Sequence, residues 1–253
     1  MTHSVVEHLE RILEPLTIEG VWSLHVEKMA EYGFDRLFYG FTRFRTARSF
    51  GDTDDMIILS NHKQPYLDEY IGKGLYNHAP MVAWAAQNVG ACSWRLIYDM
   101  MSSGTMTETE RRIVELNHRY DIRAGYAVSF RDLSVRAKGA IGLCARPGLS
   151  QDDVDAIWEE HGREILLINN YTHLRITSLP FESSRRALTP RQREALEWVG
   201  QGKTMQDIAT IMGLTPATVE KHLRLAREAL EVETTAQAVL KASIQNQIFI
   251  APN

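Results

Sequence analysis

Apolar residues first recur three and four apart, then alternate, then return to the longer spacing. Residues 4–13 (SVVEHLERIL) and 18–33 (IEGVWSLHVEKMAEYG) have helical periodicity. Residues 36–44 (RLFYGFTRF) and 56–60 (MIILS) predict strands. Residues 64–74 and 79–88 predict helices, with Pro65 and Pro80 near their starts, where the missing N–H of proline costs nothing. Residues 107–120 (TETERRIVELNHRY) predict a further helix, and 124–132 and 138–145 two more strands. A long helix begins near Ser150, which with Asp153 suits a cap and an acidic first turn, and runs to about Arg175. Strands in the middle with helices at both ends predict one sheet covered on both faces, an α/β/α sandwich.

The pattern then breaks. Residues 177–187 hold Pro180, three serines and the pair Arg185–Arg186, without periodicity, and predict a linker. Four short helices follow. Thr189 with Gln192, and Thr234 with Gln237, have capping-box spacing; Thr204 with Asp207 opens a second helix and Thr215-Pro216 a third. The chain is therefore expected to be α+β, with an α/β/α domain over 1–176, a linker over 177–187 and an all-α domain over 188–253. The second and third short helices meet at a turn containing Gly213. Ile208, Ala209 and Met212 face Val219 and Leu223, which is the helix-turn-helix layout. A plain helical bundle has the same pattern, so the layout alone does not decide between them.

Composition narrows the function classes. The chain has 253 residues and a formal net charge of −4, so any nucleic-acid contact must come from a local basic patch. No run approaches the ~18 apolar residues of a membrane span, and the N-terminus has no signal-peptide core. Two cysteines, Cys92 and Cys144, make no disulfide framework, and a cytoplasmic protein with reduced thiols is expected. No nucleophile elbow, HExxH pair, phosphate loop or Gly-rich cofactor loop occurs, so no enzyme, metal site or cofactor is expected.

The words of residues 188–238 are more specific than their layout. Leu188-Thr189, Arg191, Leu196, Gly202-Lys203, Ile208-Ala209, Thr218-Val219, His222-Leu223, Leu230, Val232 and Ala236-Gln237-Ala238 closely resemble the DNA-binding domain of LuxR-type transcription regulators. The resemblance implies that the third helix enters the major groove of double-stranded DNA. Lys203 and Thr204, at a helix N-terminus, are candidates for seating a phosphate. Thr218, Val219, Lys221 and His222 are placed toward the duplex, and Lys221, Arg224 and Arg227 are candidates for base-edge or phosphate contacts. A solvated helix face is the alternative for each. The family often carries glutamate, lysine and arginine where Gln192, Ala229 and Thr235 stand.

The first domain is similar to the autoinducer-binding domain of quorum-sensing regulators. That family has an aromatic residue, Tyr four positions on, then Asp-Pro, then Trp fourteen residues after the proline. Tyr66, Tyr70, Ala79-Pro80 and Trp94 keep this spacing. The resemblance implies a ligand cavity at His62, Tyr66, Tyr70, Ala79, Trp94 and Gly142, with the Trp94 indole bonding a lactone carbonyl. The departures sit where the ligand should be held: Tyr66 replaces a tryptophan, His62 a tyrosine and Ala79 the aspartate that accepts the ligand amide N–H. His78 is expected to point elsewhere. Core aromatics without a ligand, and a structural His62, remain the alternatives.

The expected function is a cytoplasmic, homodimeric transcription regulator that binds a palindromic promoter site. Its signal would be a small hydrophobic molecule, an acyl-homoserine lactone or another ligand. The alternatives are a solo regulator that needs no ligand and a cysteine redox-responsive regulator. The long helix ending near Arg175, and the last helix with Val239, Leu240, Ile244 and Ile248, are the candidate dimer surfaces.

Overall fold

The computed structural model describes residues 3–46, 50–51, 53–132, 134–181 and 187–249. It divides into two compact units, Met1–Ile176 and Thr177–Asn253.

The first unit runs α1 (His3–Arg11), α2 (Ile18–Glu31), β1 (Phe34–Thr42), β2 (Ile57–Ser60), α3 (Gln64–Tyr70), α4 (Pro80–Gln87), β3 (Gly90–Ser93), α5 (Arg95–Ser102), α6 (Glu108–Arg119), β4 (Gly125–Ser129), β5 (Lys138–Ala145) and α7 (Gln151–Ser178). The strands form one antiparallel sheet in the order β2-β1-β5-β4-β3. Side chains alternate across it. Tyr39 opposes Ile141 and faces α2 and α7. Its hydroxyl lies 2.9 Å from His173 Nδ1, and the His173 ring stacks 4.1 Å from that of Phe130. Gly139 makes room, since a Cβ there would sit 2.6 Å from the His173 ring. Buried His25 joins α2 to α7 through Asn169 Oδ1 at 3.1 Å and Thr172 Oγ1 at 3.0 Å. The opposite face meets α3, α4 and α6, through Tyr66, Tyr70, Ile113 and Leu116.

Two elements were not expected. β3 (GACS) has no β-branched residue and no alternation, and it exists because it pairs with β4 from Gly90–Ser129 to Ser93–Tyr126. α5 starts at Trp94 without any side-chain cap, so it gives no start signal. The long helix opens as expected, with Ser150 N donating to Asp153 Oδ2 at 2.8 Å and Asp153 N to Ser150 Oγ at 3.2 Å. It continues through Ser178, two residues into the expected linker, and stops before Pro180, which disfavours helical geometry in the residue before it. Residues 182–186 of that segment lie outside the described residues.

The second unit holds α8 (Pro190–Gly200), α9 (Met205–Met212), α10 (Pro216–Ala229) and α11 (Thr235–Ile244). A threonine caps each start. Thr189, Thr204 and Thr234 form full capping boxes with Gln192, Asp207 and Gln237, and Thr215 accepts from Thr218 N. Gly213 ends α9 at φ 64°, a left-handed turn that a glycine makes without strain. Leu196, Ile208, Met212, Val219, Leu223 and Leu230 belong to its core. Among the described residues no helix is long and apolar enough to cross a membrane.

Candidate ligand cavity and nucleic-acid interface

The sheet register builds the cavity floor. Phe38 and Ala127 lie opposite Gly142, and Gly40 lies opposite Ala140, all on the face away from Tyr39. Apart from Phe38 these residues carry little or no side chain. A Cβ on Gly40 would meet nothing within 4 Å, and one on Gly142 would reach Trp94 only at 3.7 Å. Under α3, α4 and α6 this leaves a cavity of about 140 Å³, far larger than the water-sized voids of a packed interior. The structure brings His62, Tyr66, Tyr70, Ala79, Trp94 and Gly142 together on its wall.

Trp94 is held from behind. Its backbone N–H donates to Gly125 O at 3.0 Å, and its ring lies against Gly125, where a Cβ would sit 3.0 Å from the indole. Buried Gln151, at the start of α7, grips the same glycine. Gly125 N donates to Gln151 Oε1 at 3.1 Å, and Gln151 Nε2 donates to Gly125 O at 3.2 Å and Ser93 Oγ at 3.0 Å. The indole Nε1 is buried and has no hydrogen-bond partner. An unmet buried donor costs about 1–3 kcal/mol, and an acceptor on a bound molecule would relieve it.

The α3 side of the wall is aromatic. Tyr66 and Tyr70 stack with ring centroids 5.2 Å apart, and His62 lies 5.0 Å from Tyr66. Tyr66 Oη donates to Asn117 Oδ1 at 3.0 Å. Burial, with the Arg36 charge second, lowers His62 to about 4, so its ring is neutral near pH 7. Burial raises both tyrosine hydroxyls far above the physiological range, so they too are neutral. Ala79 is buried and caps α4 without any side-chain acceptor. His78 is exposed and does not line the cavity, as expected.

Three polar lining residues, Asn117, Tyr76 and Lys138, were not foreseen, nor were most of the apolar ones. Asn117 gave one signal: it falls four residues after Ile113, a polar side chain on the apolar face of α6. Tyr76 sits in a short 3-10 turn, and Lys138 reaches the wall only through strand register. Burial pushes the Cys144 thiol up to about 12 and raises that of Cys92, which favours the protonated, unreactive form in both. Among the described residues no group of side chains could hold a metal ion.

On the second unit the DNA candidates separate into two sets. Lys203 and Lys221 are exposed, Thr218 and His222 half-buried. Arg224 is exposed and pairs with Glu228 at 2.5 Å along its own helix. Three expectations change. Val219 is fully buried in the core, so it seats α10 and does not face the duplex. Arg227 is committed within the unit: its guanidinium donates to Thr235 Oγ1 at 2.8 Å and Glu220 Oε1 at 2.9 Å. The α9 N-terminus already holds a carboxylate, because Thr204 N and Oγ1 both donate to Asp207 Oδ2, at 3.1 and 2.6 Å. That leaves Lys203 as the phosphate candidate there, and the α10 N-terminus, capped only by neutral Thr215, as the open one.

Residues 17–176 match the family described as "Autoinducer binding domain", and residues 186–242 the family described as "Bacterial regulatory proteins, luxR family". The chain is similar to the transcriptional activator protein ExpR of Dickeya dadantii, 27% identical over 196 residues covering 73% of this chain and 76% of the relative. It is 25% identical to the transcriptional activator protein AnoR of Acinetobacter nosocomialis over 214 residues, covering 84% and 85%. Among solved structures, SdiA in complex with octanoyl-rac-glycerol has a TM-score of 0.53 at 14% identity, covering 97% of this chain and 96% of that one. At such identity the likeness is one of fold.

Proposed function

Since the chain belongs to the LuxR family of bacterial transcription regulators, an autoinducer-binding domain followed by a luxR-family helix-turn-helix domain, we propose that it switches transcription when a small hydrophobic molecule fills the cavity under Trp94. The family consists of regulators, not enzymes. The carrying observation is the buried, partnerless Trp94 Nε1 on the wall of an apolar cavity. The large majority of buried side-chain donors have a partner, and here a bound carbonyl in the cavity would supply one. Neutral His62 and the Tyr70 hydroxyl offer further polar points.

The output is binding to double-stranded DNA by α10, in the cytoplasm, with Lys221 and Arg224 reaching base edges or phosphates. The active form is a homodimer on a palindromic site with half-sites about one helical turn apart. Exposed Leu240 on α11, and Leu167 and Leu174 on α7, support this, since exposed apolar side chains on helix faces suit a self-complementary contact. Buried Ile248, by contrast, belongs to the core of its unit.

Ala79 alone favours a second reading, regulation without a ligand, because no acceptor for an amide N–H stands there. Mass spectrometry of extracts from protein purified from its native host, beside footprinting of its promoter, separates the two. A lipophilic molecule released from the protein, whose removal weakens a symmetric footprint, is the expected result. Full footprinting by ligand-free protein establishes the second reading.

A further inference from the structure

The polar atoms around the cavity are biased toward donation. Trp94 Nε1 is a donor only, and it is unpaired. Asn117 Oδ1 already accepts from Tyr66 Oη at 3.0 Å, and its second lone pair is that of a neutral amide. α4 opens at the wall through Pro80, Met81 and Val82, with no side-chain acceptor for its first N–H groups. Among the described residues no carboxylate lines the cavity. Among the described residues Lys138 is the one charged lining side chain, and its Nζ donates to Asn88 O at 3.0 Å and Phe130 O at 3.2 Å. Ala79 offers a methyl group. Among the remaining acceptors, the Tyr66 and Tyr70 hydroxyls and the His62 ring are neutral.

An amide N–H brought into this space leaves strong hydrogen bonds to water for neutral acceptors at best. A ligand carbonyl, by contrast, meets an unmet donor. An anionic head would leave water for a mostly apolar wall, which is costly. Resting on the reading of the cavity as a ligand site, we infer that it selects a neutral molecule with an apolar chain and a carbonyl-bearing head that lacks an amide N–H, such as an acyl ester or a ketone. Ala79 is then the specificity-determining position, because it sets whether an amide is accepted.

A matched pair of probes tests this. One is N-octanoyl homoserine lactone; the other is its oxygen counterpart, α-octanoyloxy-γ-butyrolactone, in which oxygen replaces the amide N–H. Binding to the full chain is measured by calorimetry and thermal unfolding, with octanoate as a third probe. The ester should bind at least as tightly as the amide. Ala79→Asp should shift the ratio toward the amide by about tenfold or more, since a carboxylate makes a charge-assisted acceptor. The variant should fold, because position 79 is the N-cap of α4, where aspartate is favoured. Trp94→Phe should weaken both lactones by a similar factor and leave their ratio unchanged.

A parent protein that prefers the amide by more than about threefold, beyond the worth of a weak neutral hydrogen bond, or that prefers octanoate, overturns the inference and leaves the ligand site standing. If no probe binds, the molecule extracted from the native protein decides: one with an amide N–H overturns the inference and one without supports it. No binding of any probe and nothing extracted overturns the ligand-site reading as well.

Discussion

The two units satisfy their polar atoms over different distances in the chain. In the second, each helix start is closed within three residues by its own threonine, as in Thr189 with Gln192 and Thr234 with Gln237. In the first, the deciding contacts span long stretches of chain. His25 meets Asn169, Tyr66 meets Asn117, and Gln151 reaches back to Gly125. There the interior also keeps a cavity with the Trp94 donor unpaired. Trp198 Nε1 in the second unit lacks a partner too, but Trp198 packs against the helical core and does not line the cavity. The difference teaches where each unit's function sits: the second presents a surface on a closed scaffold, and the first leaves its interior unfinished.

Acid should separate the units most strongly. Burial, with the His8 charge second, holds His25 at about 3, and burial with the Arg36 charge holds His62 at about 4, both below the ordinary histidine value of 6.5. The unfolded chain therefore binds more protons than the folded one below that value. Their stability is fully present above about pH 6.5 and is lost as pH falls toward the folded values, by about 1.4 kcal/mol per pH unit for each group. The second unit buries no histidine. Hydrogen exchange read residue by residue at pH 7 and pH 4.5 should show the first unit losing protection first. Equal losses in both would remove this distinction.

Deleting core from the second unit should do the reverse. Leu223 is 2% exposed, and Leu223→Ala should cost about 2–5 kcal/mol. DNA binding should disappear while ligand-dependent protection of the first unit's amides persists. Loss of both responses would mean that the units do not fold independently.

How much was legible in the residues follows from the same contrast. Capping boxes and helical periodicity act within a turn, so the starts of α8, α9, α10 and α11 could be read directly. The cavity positions were readable only through resemblance, at Tyr66, Tyr70, Ala79 and Trp94. Of its floor the resemblance named only Gly142, because the emptiness at Gly40 beside it exists only once β1 pairs with β5. β3 was invisible for the same reason, since pairing with β4 is its whole cause. On α10 the residues alone hid a competing role. Charge and position nominated Arg227 for DNA, but Glu220, two turns earlier on the same face of α10, and Thr235, on the next helix, both bond it, and the second partner comes only with the tertiary fold.

That correction can be sharpened by a pair of variants. Lys221 is exposed and has no ion-pair partner among the described residues, so Lys221→Ala should leave unfolding unchanged and weaken DNA binding by about 1–3 kcal/mol if a base contact is lost. If the contact is to phosphate, the salt slope should fall by about one unit instead. Arg227→Ala should lower the stability of the second unit. Its effect on specific DNA affinity, corrected for the folded fraction, should be the smaller of the two. The opposite ranking would return Arg227 to the interface.

The smallest effect concerns the start of α9. Thr204 Oγ1 accepts from Asp207 N at 3.3 Å, while Asp207 Oδ2 accepts from Thr204 N at 3.1 Å. Two donors that a phosphate would need are thus served within the helix, and a carboxylate already occupies the positive end of its dipole. Thr204→Ala removes one half of the box and should cost about 1 kcal/mol of stability in the second unit, with Thr204→Ser restoring most of it. Neither change should alter the salt dependence of DNA binding, because this hydroxyl already donates to Asp207 Oδ2. Lys203→Ala is the contrasting variant: an exposed cation beside the same turn, it should leave stability alone and reduce the salt slope by about one unit. A salt slope that falls with Thr204→Ala at unchanged stability would show that the box opens on DNA and that the helix N-terminus seats a phosphate after all.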